Sequence, residues 1–87
     1  MREIQRRGLI AMREQIMKIL KGVRSDVDFE NETALIDNGV LDSFDIISIV
    51  GEFNDAFGVE INADDLLPEN FNNVAAMVEL IGKLQEE

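Results

Sequence analysis

The stretch GVLDSFDII, residues 39–47, decides how the chain is read. A serine stands between two aspartates, and an aromatic residue follows it directly at the head of an apolar run. From Ser43 onward, apolar residues recur at helical spacing until Gly58, which sits where a left-handed helix cap is usual. At about 100° per residue, Ile46, Ile49, Val50, Phe53 and Phe57 fall on one stripe, the expected core face. Phe44 then lies roughly opposite that stripe, with Ile47 and Gly51 flanking it on the same outer side. Two bulky apolar groups are thus left outside the core, beside the serine, on a helix that also carries Asp45, Glu52 and Asp55. At about 1.5 Å per residue, a helix over 43–57 is about 22 Å long.

Working outward, Leu9, Met12, Ile16, Ile19, Leu20 and Val23 recur at spacings of three and four, which predicts an amphipathic first helix over roughly 9–23. Residues 25–42, SDVDFENETALIDNGVLD, lose that period and read as a long loop anchored by Phe29, Leu35, Ile36, Val40 and Leu41. A loop of this length is uncommon in so short a chain, and its apolar content predicts an ordered, packed one. After Gly58, the connector VEINADDLLPEN predicts one helical turn over 63–67, stopped by Pro68. A last helix is predicted from an N-cap at Asn72 or Asn73 to Leu84, burying Val74, Met77, Val78, Ile81 and Leu84. The expected fold is therefore all-α, a small bundle of three main helices plus one short helical turn. A single domain over 1–87 is expected, with a core of about 12–84. Met12 is an alternative start, which would make residues 1–11 an extension or an added segment.

The chain has 87 residues, no cysteine and no histidine, and a formal net charge of -10. At this size only about 60 to 65% of the unfolded surface is buried on folding, so modest stability is expected. Absence of cysteine removes disulfides, thiolate metal sites and thiol nucleophiles, and suits a reducing, cytoplasmic setting. The apolar runs fall far short of the roughly 20 residues that cross a bilayer, and no membrane insertion is expected. Charge is divided unevenly: residues 1–24 hold seven Lys/Arg against two acids, whereas residues 25–87 hold Lys83 against sixteen acids. That acidic field repels phosphate backbones, so nucleic acid is not an expected partner.

Chemistry narrows by elimination. With no His, Cys or Tyr, the usual general bases and nucleophilic pairs are missing, and the chain is expected to be no enzyme. DFENETALIDNG lacks the ligand pattern of an EF-hand, so no metal site is expected. Ser43 has two readings. One is a helix N-cap within a small acidic interaction module that uses its exposed apolar patch. The other is a hydroxyl that carries a phosphodiester, because a helix N-terminus offers unpartnered N–H groups and about half a positive charge.

The segment LIDNGVLDSFDIISIV resembles the phosphopantetheine attachment segment of the acyl carrier and peptidyl carrier proteins, whose core is Asp-Ser-Leu in many members. The order helix, long loop, helix, short turn and helix, over roughly 12–84, is similar as well. The resemblance implies that Ser43 carries 4′-phosphopantetheine, transferred from coenzyme A by a Mg²⁺-dependent phosphopantetheinyl transferase. It implies an arm whose thiol holds acyl or aminoacyl groups as thioesters, loaded by an adenylating or acyl-transferring enzyme and unloaded by a downstream transferase or synthase. Asp42 matches the aspartate that aids recognition by the transferase, Phe44 the following leucine, Asp45 the acid two places past the serine, and Ile47 an apolar contact position. The partner-docking face so implied comprises Asp42, Phe44, Asp45, Ile47, Ser48, Gly51, Glu52 and Asp55, on a monomer. Ser48 stands where fatty-acid carriers usually have glutamate and Gly51 where they have a larger apolar residue. LDSF looks more like D-alanyl and other specialised freestanding carriers.

Overall fold

The computed structural model describes the backbone of residues 2–86, with side chains described from Gly8 onward except Leu9. Three helices make the body: α1 (Arg2–Val23), α2 (Ser43–Phe57) and α4 (Val74–Glu86). Between α2 and α4 the chain makes a 3₁₀ turn (Ala63–Asp65) and a single-turn helix, α3 (Pro68–Phe71). The described residues contain no strand, and the architecture is the all-α bundle that the periodicity predicts.

The stripes fold as amphipathic faces around one core. Ile16 and Leu20 from α1, Ile49 and Phe53 from α2, and Val74, Met77, Leu80 and Ile81 from α4 are all buried. Ile46, Val50 and Phe57, expected inside, are only partly buried and pack against the margin of this cluster. The Phe53 and Phe57 rings meet edge to face with centroids 5.9 Å apart, a geometry favoured by the ring quadrupole. Gly58 closes α2 at φ 61°, the left-handed cap expected of it. Leu9 lies outside the described side chains.

Residues 24–42 have no periodic structure and are nevertheless packed. Phe29, Leu35 and Leu41 reach into the core, and Gly39 turns the chain at φ 68°. Asn72 fastens the middle of this loop. Its Oδ1 accepts from the amides of Ile36 (3.0 Å) and Asp37 (3.1 Å), its Nδ2 donates to Asp37 Oδ2 (3.1 Å), and its carbonyl accepts from Leu35 N (2.9 Å). One asparagine thus supplies partners for three loop amides that no repeating ladder would satisfy.

Four boundaries differ from the sequence expectation. Helix α1 begins at Arg2 rather than near residue 9, because residues 2–7 are mostly good helix formers with no stop signal ahead of the apolar stripe. The predicted turn over 63–67 ends at Asp65. Pro68, read as a stop, opens α3 at a position where its missing N–H costs nothing. Asn73 and not Asn72 caps α4, its Oδ1 accepting from Ala76 N at 2.8 Å, and that helix continues to Glu86. Replacing Asn72 with Ala strands two loop amides, and urea unfolding should show a loss of about 1 to 3 kcal/mol; a change under about 0.3 kcal/mol would mean the loop is held by its apolar anchors alone.

Candidate functional site

Ser43 occupies the first position of α2, with Asp42 ahead of it as the cap. Asp42 is extended (φ -101°, ψ -177°), and its Oδ1 accepts from Asp45 N at 2.9 Å. In return, Asp45 Oδ2 accepts from Asp42 N at 3.2 Å. This reciprocal pair is a capping box built from two aspartates instead of Ser and Glu. The reading of Ser43 as the N-cap is therefore corrected: a carboxylate one residue earlier does that work. Ser43 is exposed, and its amide and that of Phe44 are among the first N–H groups of the helix, which have no intrahelical partner.

Around the hydroxyl, α2 presents an uncovered face. Phe44 is 81% exposed and Ile47 68%, the two largest exposures among the bulky apolar side chains of the described residues. Ser48, Gly51, Glu52 and Asp55 are exposed as well. A Cβ built at Gly51 would meet nothing within 4 Å, so no internal packing requires the glycine. Glu52 and Asp55 face α1 across an open groove of about 770 Å³ whose other wall includes Lys18, Ile19 and Gly22. On the opposite flank, Ile46 shares a small apolar pocket of about 90 Å³ with Ile36, Leu66, Leu67, Pro68 and Phe71.

Asp45 departs from the expectation of a freely presented acid. Its side chain is only 14% exposed, and the oxygen that takes the Asp42 amide also takes Arg24 Nη1 at 2.6 Å. Arg24 grips both Asp26 oxygens at 3.0 Å and reaches Val40 O at 3.2 Å. Hydrogen bonds donated to Asp26 and then to Asp45 hold the guanidinium proton more firmly than usual, and in turn Arg24 keeps the Asp26 carboxyl below the ordinary carboxylate range. In the sequence Arg24 is only one of seven basic residues in the first 24; its partner lies 21 positions away, and no local spacing marks the pair.

An all-α bundle with an exposed hydroxyl at the N-terminus of α2, beside exposed apolar and acidic side chains, is an arrangement that suits a small helical carrier module. Residues 11–81 match the family model described as a phosphopantetheine attachment site. The chain belongs to this phosphopantetheine-binding carrier family, and it is a carrier of covalently bound 4′-phosphopantetheine. No curated protein matches the chain significantly. Among the described residues, no helix is long and apolar enough to cross a membrane.

Asp42→Ala should lower stability by about 1 kcal/mol through loss of the cap. Phe44→Ala should change it by less than about 0.5 kcal/mol, because little contact is lost. Gly51→Ala should raise stability by up to about 1 kcal/mol, since the added methyl has room and restricts the unfolded helix. Chemical denaturation of the three variants checks all of this; a Phe44→Ala loss of several kcal/mol would place that ring in the core.

Proposed function

We propose that Ser43 is the residue that bears 4′-phosphopantetheine, and that the chain shuttles acyl or aminoacyl groups on that arm between a loading enzyme and a downstream transferase or synthase. The single observation that carries the assignment is the position of Ser43 on α2: exposed, first in the helix, and relieved of capping by Asp42. A hydroxyl spent on capping would be tied to the backbone, whereas this one is free to be esterified. The residues fit the group. A phosphodiester on Ser43 Oγ would lie at the amide-rich, partly positive end of a 15-residue helix. When bound, the arm supplies a thiol, which the chain itself lacks, to hold cargo as a thioester.

Partner recognition falls to the uncovered face. Phe44 and Ile47 offer apolar contact, Gly51 and Ser48 allow close approach, and Glu52 and Asp55 supply the charge that steers a basic partner. Asp42 borders the serine and completes the face at its upper end. Asp45 contributes by holding the helix start, with its carboxylate turned toward Arg24. The acidic surface suits brief encounters, in which attraction raises the on-rate and a small contact area keeps the off-rate high. The groups loaded are acyl or aminoacyl; LDSF and Ser48 favour a specialised freestanding carrier over the fatty-acid type. The setting is the cytoplasm, and the working unit is a monomer whose carrier body begins near residue 12.

The deciding experiment is intact-mass analysis after incubation with coenzyme A, Mg²⁺ and a broad-specificity phosphopantetheinyl transferase. Wild type should gain one phosphopantetheine and Ser43→Ala none; Ser43→Asp should likewise fold and gain none. No gain on folded wild-type protein would remove Ser43 as the attachment residue. Docking to the loading enzyme should weaken as salt rises over about 0.05 to 0.5 M. A salt-independent affinity would remove the acidic residues of α2 from the account.

A further inference from the structure

The start of α2 is tied to the rest of the fold by a side chain from the far end of α1. Arg24 follows α1 directly, and its amide donates to Leu20 O at 2.8 Å, so its backbone is set by the last helical turn. From there the guanidinium fans out to three places. Nε and Nη2 take the two oxygens of Asp26, while Nη1 reaches both Asp45 Oδ2 (2.6 Å) and Val40 O (3.2 Å). The same Asp45 oxygen holds the Asp42 amide. Ser43 is thereby bracketed: Asp42 and Asp45 stand on either side of it in one hydrogen-bonded chain that ends on Arg24, and Val40 fixes the approach three residues earlier. A planar fork of fixed donors can span acceptors arranged this way, which a lysine cannot. The guanidinium is 31% exposed and Asp45 14%, so this pair is less screened than an ordinary surface ion pair.

We infer that Arg24 is a positioning residue for the modification of Ser43, acting through Asp45 and Val40 to hold the attachment segment in one presentation. The inference rests on the proposed attachment at Ser43. In the transfer, a bond forms between Ser43 Oγ and the phosphorus nearer the pantetheine in the coenzyme A pyrophosphate. The bond from that phosphorus to the bridging oxygen breaks, 3′,5′-ADP leaves, and the hydroxyl proton passes to the transferase or to solvent. Such a displacement needs the hydroxyl in line with the leaving oxygen, so a segment that wanders loses rate even where binding is intact. Because the apolar contacts of Phe44 and Ile47 lie outside this network, the cost of losing Arg24 falls on kcat and spares KM.

Steady-state transfer from coenzyme A to the full chain tests this, with Arg24→Ala, Arg24→Lys and Asp45→Asn compared with wild type. Arg24→Ala should lower kcat about tenfold with KM within about twofold, and Arg24→Lys should recover part of the loss. Hydrogen exchange supplies a readout independent of modification: the amides of Asp42 and Asp45 should exchange about tenfold faster in Arg24→Ala, with those of Ile49 and Phe53 unchanged. Equal kcat for Arg24→Ala on a competent wild type overturns the role. So does exchange that rises uniformly along the chain, which would make Arg24 a contributor to global stability only. If wild type accepts no arm, the attachment at Ser43 fails and this role fails with it, a result distinct from an unchanged Arg24→Ala rate.

Discussion

Everything that this small bundle presents depends on holding residues 24–42 without a helix or sheet to hold them. The segment must cross from the end of α1 to the start of α2, and each of its amides needs a partner that no repeating ladder supplies. Three apolar plugs, Phe29, Leu35 and Leu41, carry it into the core, while Asn72 and Arg24 stitch it from either side. The first residue of α2 is exposed at a defined place because the chain leading to it is not free to move.

The same economy shows at the start of α2. Two carboxylates in a segment already rich in acid would repel each other, yet Asp42 and Asp45 each take a backbone amide of the other, and Arg24 meets the second. Negative charge at a helix N-terminus is favourable in itself. Local electrostatics, which a net charge of -10 makes unpromising, is thus resolved where order is needed and left unresolved along Glu52 and Asp55, where a partner would resolve it. Bulky apolar groups follow the same division: Ile49 and Phe53 fill the core, and Phe44 and Ile47 on the same helix are left bare.

Most of the bundle was legible in the chain because a helix repeats every 3.6 residues and broadcasts its faces. The core stripe of α2 and the outward turn of Phe44 and Ile47 follow from angular arithmetic alone, and Gly58 from the steric demand of a left-handed cap. What escaped were interactions with no period. The cap at Asp42 is one residue from the expected place, and Asn73 is one of the two residues between which the sequence left the cap of α4 open, since Ser, Asp and Asn are near-equivalent caps and only backbone angles choose among them. Proline can end one helix or begin the next, and at Pro68 it begins one. Asn72 and Arg24 act across 35 and 21 positions, and nothing local marks an asparagine or arginine as a tie. Helix α1 outran the stripe read from the sequence because good helix formers precede it with no stop signal.

The division of labour between Asp42 and Ser43 reaches beyond the single molecule. Since the cap is a neighbour's carboxylate, the attachment proposed at Ser43 would cost the helix no cap, and the face made by Phe44, Ile47 and Glu52 would be open to partners with the hydroxyl bare or esterified. Under that proposal unmodified chains would be decoys, competing with modified ones for partner enzymes and delivering nothing. In a mixed population, throughput would then follow the ratio of the two forms as well as total abundance, with an excess of unmodified protein acting as an inhibitor.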